Sequence, residues 1–233
     1  MLATATSNTH RYERKFQVRN INVRQLECLI RRHPSHFRVT YPIRIVNNIY
    51  FDTPRLTSFM QHVEGSSRRS KLRLRWYGEP QGHIASPSLE IKGRDGDVGS
   101  KRRFAIEPFS FEGSLDVAEL ERNANRSGVA ADVLQRLSGS FPSLLNRYTR
   151  RYYESTDKRF RITIDSDLFF CVINKRNYGF RKSHAERRLL VVELKYDSAD
   201  DQVARQAGAA LPLRTSKMSK YVYGLERLGI SDR

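Results

Sequence analysis

The chain has 233 residues, and its 42 lysines and arginines against 25 aspartates and glutamates give a formal net charge of +17. A charge of this size favours a polyanionic partner, such as nucleic acid, a membrane surface or a phosphate-rich small molecule, and disfavours a cationic ligand. Two cysteines far apart in the chain exclude a disulfide framework, and no apolar run approaches the roughly 20 residues that cross a bilayer. Residues 1–10 lack the features of a signal peptide, so we expect a cytoplasmic protein with no membrane span in this chain.

Composition is even from about Arg11 to Leu228, which predicts a single domain over residues 10–229, with flexible termini at 1–9 and 230–233. Alternation of apolar and polar residues predicts strands along most of this domain. The predicted strands are Tyr12–Val18, Val46–Phe51, Lys71–Tyr77, Leu89–Arg94, Lys101–Ile106, Arg147–Tyr153, Arg159–Asp165, Leu168–Ile173 and Leu190–Tyr196. Asp95-Gly96, between two of them, is typical of a hairpin turn.

Amphipathic helices are predicted between the strands. Val23, Leu26 and Ile30 share a face of the first helix, which Pro34 ends. Thr53-Pro54 is typical of an N-cap followed by proline in the first helical position, so a second helix is predicted from there to Gly65. Further helices are predicted within Ser114–Asn125, within Val129–Ser138, shortly after Ser198, and from about Thr215 or Ser216 to Leu228.

The polar faces of the predicted strands are rich in cations. Side chains at positions i and i+2 of a strand share a face. The sets that share a face are Glu13 and Lys15; Lys71, Arg73 and Arg75; Glu90 and Lys92; Lys101 and Arg103; Arg159, Arg161 and Asp165; and Glu193 and Lys195. One such strand is typical of a solvated sheet face, but six strands with this pattern indicate one continuous surface. If helices cover the apolar faces, the charged faces point into a closed barrel.

A cationic lumen of this kind would repel itself when empty, so a polyanion is expected inside it, together with a divalent metal ion. The planar fork of arginine matches phosphate oxygens, and lysine supplies a compact charge. Single glutamates among the cations are suited to a hard divalent metal ion. The pattern therefore favours a triphosphate chain, and a phosphoryl-transfer reaction that depends on positioning and charge neutralisation.

Nine short motifs occur in the order found in one known family. They are YERKF (12–16), YFDTP (50–54), KLRLRWYG (71–78), LEIK (89–92), SKRRF (100–104), YTRRY (148–152), RITID (161–165), VELKY (192–196) and SKMSKYVYG (216–224). On these motifs, the chain resembles the VTC domain, the polyphosphate polymerase branch of the triphosphate tunnel metalloenzymes, over nearly its whole length.

The resemblance implies an α+β fold, namely an antiparallel eight-stranded β-barrel tunnel with surrounding helices. It also implies transfer of the γ-phosphate of ATP to phosphate or a polyphosphate chain, with Mn²⁺ or Mg²⁺. The residues implied to bind phosphate are Lys15, Arg73, Arg75, Lys92, Lys101, Arg150, Arg161, Lys217 and Lys220. Of these, Lys220, Arg161 and Arg150 are the implied catalytic residues, with Lys217 as the alternative to Lys220. Glu193 is the main implied metal ligand, with Glu90 or Glu13 beside it.

The chain departs from the wider superfamily at its first motif. The superfamily begins with Glu-x-Glu-x-Lys, and here Arg11 stands at the first carboxylate position, ahead of Glu13 and Lys15. This departure favours transfer over two-metal hydrolysis. Tripolyphosphatase activity, another tunnel-enzyme activity and a catalytically silent polyphosphate-binding module stay open as alternatives. The SPX domain and membrane spans of the eukaryotic polymerase are not in this sequence, so a membrane or regulatory partner is unknown.

A nucleic-acid-binding protein is a less favoured alternative. The net charge supports it, but the cations alternate within strands, and no known nucleic-acid-binding motif is evident. Tyr178–Arg188 is the one loop-like basic stretch that could serve it, and no specific nucleic-acid partner is expected.

Asp52 and Asp165 are expected either to orient a neighbouring arginine or to cap a helix.

Overall fold

The computed structural model describes residues 11–96, 98–174 and 176–230. Within them the strands are β1 (Arg11–Val18), β2 (Arg38–Asp52), β3 (Arg68–Tyr77), β4 (Gly82–Ile84), β5 (Ser88–Asp95), β6 (Val98–Ala105), β7 (Phe109–Phe111), β8 (Phe141–Glu154), β9 (Arg161–Ile173), β10 (Phe180–Glu186) and β11 (Leu190–Asp197). The helices are α1 (Val23–Arg31), α2 (Thr57–Val63), α3 (Val117–Arg126), α4 (Ala131–Ser138), α5 (Asp201–Ala209) and α6 (Lys220–Arg227).

Eight strands form the central antiparallel sheet in the order β1-β11-β9-β8-β2-β3-β5-β6, and β10 also pairs with β9. The sheet curls so far that Nζ of Lys92 on β5 lies 3.2 Å from Oε2 of Glu13 on β1. These two strands stand near opposite ends of the strand order, so one face of the sheet encloses a lumen. The predicted α+β fold with an antiparallel eight-stranded tunnel is confirmed.

Helices cover the outer face of the sheet in two places. One core joins α3 and α4 to the sheet and includes Ile49, Leu72, Leu74, Leu120 and Val133. The other joins α1 and α5 to it and includes Leu26, Ile162, Ile164, Val192 and Ala204. Because successive side chains of a strand point to opposite faces, the charged residues between these apolar ones face the lumen. No helix in the described ranges is long and apolar enough to cross a bilayer.

The last helix, α6, packs on the inner side of the sheet. Tyr221 of α6 stacks at 5.0 Å on the ring of Tyr50, and its hydroxyl donates to Asp52 at 2.7 Å. The helix approaches the sheet so closely at Gly224 that a Cβ there would lie 2.5 Å from Cδ1 of Phe170. This packing brings Lys220, the first residue of α6, into the lumen.

Two predicted helix starts are wrong. The helix expected from Thr53-Pro54 begins at Thr57, and its N–H groups at Ser58 and Phe59 donate to the carboxylate of Asp52 at 2.9 and 3.0 Å. Asp52 therefore caps this helix, one of the two roles expected for it.

The helix expected from Thr215 or Ser216 begins at Lys220, with Ser219 as its N-cap. The amide of Ser216 donates to the carbonyl of Lys15 at 2.7 Å. This hydrogen bond and the isolated β-bridge between Phe16 and Thr215 hold Thr215 and Ser216 against β1, and the helix starts only at Lys220.

The strand prediction also needs two corrections. Leu168–Ile173 and most of Arg159–Asp165 belong to one continuous strand, β9 (Arg161–Ile173), and Arg159 and Phe160 precede it. Most of the basic stretch Tyr178–Arg188, expected to be a loop, is the strand β10, which pairs with β9.

Candidate active site

The lumen face carries more cations than carboxylates. Its cations include Lys15, Lys71, Arg73, Arg75, Lys92, Lys101, Arg150, Lys195 and Lys220, and its carboxylates include Glu13, Glu90, Asp165 and Glu193. The two kinds of charge are interleaved in three clusters, each centred on buried or half-buried carboxylates. The excess of positive charge suits a polyanion.

The Asp165 cluster joins β8, β9, β11 and α6. Asp165 is fully buried and accepts both arms of the Arg150 fork, at 2.5 and 2.7 Å. Its Oδ2 also lies 2.5 Å from Nζ of Lys220. Glu193 lies 3.6 Å from both Lys220 and Arg150, and 3.2 Å from Lys195. Of the two roles expected for Asp165, orienting an arginine or capping a helix, it has the first, because it orients Arg150. It also holds Lys220.

Electrostatics keep both cations of this cluster charged. Burial by itself would lower the pKa of Lys220, but Asp165 and Glu193 outweigh burial and raise it. The same balance, led by Asp165, raises the pKa of Arg150. Two permanent positive charges with fixed positions are thus present where water has little access.

Tyr148, for which the sequence pattern predicts no role, lies beside this cluster. Nζ of Lys220 lies 4.9 Å and Cζ of Arg150 lies 5.1 Å from the centre of its ring. Its hydroxyl accepts a hydrogen bond from Arg75 at 3.2 Å. The signal that could have found it is its position two residues before Arg150 on one strand, which gives the two side chains the same face.

The Glu90 cluster joins β3, β5 and β6. Arg73 donates to Oε2 of Glu90 at 2.9 and 2.6 Å, and Lys101 lies 3.0 Å from Oε1. Arg75 and Arg103 lie 3.7 and 3.8 Å from the same carboxylate. Burial lowers the pKa of Lys101 to about 8, and the nearby Arg73 and Arg75 add to this effect although Glu90 opposes it.

The third cluster surrounds Glu13. Its carboxylate lies 3.1 Å from Lys15 and 3.2 Å from Lys92. Burial and Glu193 oppose ionisation of Glu13, but Lys15, Lys92 and Lys195 outweigh them and lower its pKa to about 2.

Lys71 adds a cation beside this cluster, on a face that the alternation of β3 predicts to be charged. Nζ of Lys71 donates to Ser219 Oγ at 2.7 Å. Burial lowers the pKa of Lys71 well below its usual value, and the nearby Lys15 and Lys92 lower it further. An anion bound here would stabilise the charged form of Lys71.

Two predicted site residues lie apart from these clusters. Arg161 is on the lumen face of β9, but its side chain is 56% exposed and pairs with Glu154 at 2.8 Å. Lys217 is exposed. Of the three implied catalytic residues, the fold thus brings Arg150 and Lys220 together and leaves Arg161 nearer solvent.

Two of the lumen carboxylates fit a divalent metal ion. Among residues 11–96, 98–174 and 176–230, no three His, Cys, Asp or Glu side chains gather as a self-sufficient metal site. Glu13 and Glu193 lie on the paired strands β1 and β11, close enough for Glu193 to act on the pKa of Glu13. Since Mg²⁺ commonly takes one or two carboxylates together with substrate phosphates, these two residues fit such an ion. Both oxygens of Glu90 are engaged by Arg73 and Lys101.

Solved structures resemble this fold along nearly the whole chain. The PH1819 protein from Pyrococcus horikoshii is 14% identical, with a TM-score of 0.51, over 93% of this chain and 99% of that one. A putative adenylate cyclase from Vibrio parahaemolyticus is 15% identical, with a TM-score of 0.48, over 93% and 99%. A putative adenylyl cyclase from Hippeastrum, described as having a dominant triphosphatase activity, is 15% identical, with a TM-score of 0.42, over 94% and 96%. The first of these supports the fold.

Sequence comparison supplies the family. No curated protein sequence matches the chain significantly. The family profile of the VTC domain, however, matches residues 10–228, a span that contains every lumen residue described above. With a curled antiparallel sheet, a cationic lumen and this match over almost its whole length, the chain belongs to the VTC domain family.

Proposed function

We propose that this protein is a polyphosphate polymerase, which transfers the γ-phosphate of ATP to phosphate or to the end of a polyphosphate chain. The observation that carries the proposal is the Asp165 cluster. Two buried cations, Arg150 and Lys220, are fixed by one carboxylate beside the ring of Tyr148. Such an arrangement supports a reaction in which negative charge builds up on a phosphoryl group.

In the proposed reaction, a terminal oxygen of the acceptor forms a bond to the γ-phosphorus. The bond from that phosphorus to the β–γ bridging oxygen breaks, and ADP leaves with the electron pair. Charge spreads over the three equatorial oxygens of the transferred group. Arg150 and Lys220 stabilise these oxygens, while Arg73 and Arg75 bind the phosphates that do not react.

Water exclusion favours transfer over hydrolysis in this lumen. Arg75 and Arg150 are buried, and Lys220 is 9% exposed at its side chain. A phosphate chain threaded among these groups would leave little room for an attacking water molecule.

A divalent metal ion is part of the proposal. Glu193 and Glu13 would hold Mn²⁺ or Mg²⁺ together with phosphate oxygens, and the ion would neutralise phosphate charge. The substitution Glu193→Gln is expected to weaken Mn²⁺ binding in the presence of tripolyphosphate, measured by electron paramagnetic resonance. Glu107→Gln is the matched control, since Glu107 pairs with Arg126 outside the lumen. Equal Mn²⁺ affinity in both variants would assign the ion to other ligands.

The test of the reaction is an assay of purified protein with ATP and Mn²⁺, in which products are resolved on a gel. The expected result is ADP and a lengthening polyphosphate ladder. Free phosphate without chain growth would reject the polymerase and favour a tripolyphosphatase. Tight polyphosphate binding without turnover would favour a silent binding module.

A further inference from the structure

Three tyrosines surround Arg44 at a solvent-exposed rim of the lumen. Cζ of Arg44 lies 5.0 Å from the ring centre of Tyr41, 5.6 Å from that of Tyr77 and 5.7 Å from that of Tyr152. Tyr41 and Tyr152 also meet edge to face, with ring centres 5.5 Å apart. We call Tyr41, Arg44, Tyr77 and Tyr152 the tyrosine mouth.

The tyrosine mouth is continuous with the phosphate-binding face. Tyr77 follows Arg75 by two residues on β3, and Tyr152 follows Arg150 by two residues on β8, so each tyrosine shares a face with its arginine. Arg44 is paired directly with Arg150 in the register of β2 and β8. A molecule whose phosphates reach Arg150 and Arg75 would therefore extend its other end over these rings.

Packing of the fold alone does not account for this arrangement. Tyr41 is 53% exposed and Tyr77 is 40% exposed, whereas the other tyrosines of the lumen side, Tyr50, Tyr148 and Tyr221, are buried. In the part of the chain that the structure describes, no carboxylate lies within ion-pair distance of Arg44. The mouth thus presents exposed aromatic faces and an uncompensated guanidinium, which are the groups that stack on nucleobases.

We propose that the tyrosine mouth binds the nucleobase of the nucleoside triphosphate, which stacks on Tyr41 or Tyr77 while Arg44 faces the sugar and α-phosphate. This inference rests on the proposed function, because it assumes that the triphosphate lies in the lumen. Stacking uses the face of a base and not its edge, so the mouth accepts any nucleobase and distinguishes a nucleoside triphosphate from bare tripolyphosphate.

The experiment compares calorimetric affinities for ATP and for tripolyphosphate. The double variant Tyr41→Leu/Tyr77→Leu keeps apolar bulk but removes both rings, and it is expected to bind ATP about tenfold more weakly. Its affinity for tripolyphosphate should equal that of the parent. Tyr41→Phe/Tyr77→Phe keeps the rings and should bind ATP normally, as should Tyr12→Leu, which changes an exposed tyrosine packed on the outer-face residue Tyr196.

The outcomes separate this inference from the proposed function. Unchanged ATP affinity in the double leucine variant, or an equal loss for both ligands, would overturn the nucleobase site. A parent protein that binds ATP but not tripolyphosphate would instead overturn the phosphate-binding lumen. A parent that binds GTP much more weakly than ATP would overturn recognition by stacking alone.

Discussion

Nζ of Lys220 lies 2.5 Å from Oδ2 of Asp165, where the start of α6 meets the lumen face of β9. The same carboxylate accepts the two arms of the Arg150 fork. One buried aspartate thus fixes two cations from different elements of the fold. The preorganisation that the proposed phosphoryl transfer requires would depend here on a carboxylate, which does not itself bind phosphate.

Removing the charge of Asp165 is expected to destabilise the protein. In Asp165→Asn, Lys220 and Arg150 stay buried with less compensation, so the free energy of unfolding should fall by about 3–5 kcal/mol. Tripolyphosphate should stabilise the variant more than the parent, because a bound anion replaces the missing charge. Chemical denaturation with and without tripolyphosphate measures both effects.

The matched control is Asp132→Asn, which breaks the exposed pair with Arg102. This change should alter the free energy of unfolding by no more than about 1 kcal/mol. If Asp165→Asn changes the free energy of unfolding as little as Asp132→Asn does, the Asp165 cluster does not stabilise the fold.

The two lysines of the SKMSKYVYG motif should differ in function. Lys220→Met is expected to lower kcat by about 10²-fold or more, since in the proposed reaction its charge acts on the transferred group. Lys217→Met should leave kcat within about twofold, because Lys217 is exposed. Initial rates of ADP formation from ATP separate them, and a larger loss in Lys217→Met would reverse the assignment.

Binding of tripolyphosphate should weaken as the pH rises through about 8. Burial lowers the pKa of Lys101 to about 8, and a bound phosphate chain would raise it again. Binding is therefore coupled to proton uptake above this pH, while below it Lys101 is already charged and contributes no pH dependence.

Calorimetric titrations between pH 7 and 9.5 measure this dependence. In Lys101→Arg the charge is permanent, so the slope should become shallower. Lys71 and Lys92, whose pKa values are also lowered, would contribute to any slope that remains. An identical slope in the arginine variant would show that Lys101 does not titrate in this range.

The fit of α6 against the inner face should depend on Gly224. A Cβ at this position would lie 2.5 Å from Phe170 and 2.8 Å from Leu144, so Gly224→Ala should cost about 1–3 kcal/mol of stability. It should also lower kcat, because displacement of α6 moves Lys220.

Gly208→Ala is the control within another helix, α5. The nearest atom to a Cβ there is Cδ of Arg14 at 3.9 Å, so this change should stabilise by up to about 1 kcal/mol. Thermal melts of both variants test the pair of predictions. Similar melting temperatures for Gly224→Ala and Gly208→Ala would mean that α6 accommodates the added methyl group without loss of stability.

The sequence alone determined which side of the regularly alternating strands is charged. In β3 the alternation of Lys71, Arg73 and Arg75 with Leu72 and Leu74 is local, and in a strand without a bulge residues i and i+2 stay on the same face. The same alternation in β5 and β11, together with the order of the motifs, was enough to predict the tunnel and its cationic lumen. These signals are carried by neighbours in the chain.

Only the tertiary structure decided how those charges pair. Asp165 could have oriented an arginine or capped a helix, and the register of β8 against β9 settled the choice for Arg150. The start of α6 depends on a hydrogen bond from Ser216 to Lys15, near the other end of the chain. Phe180–Glu186 lacks a buried alternating face and forms a strand because β9 offers it an edge. Each of these features depends on contacts between segments far apart in the chain. The local alternation of apolar and polar residues carries no information about such contacts.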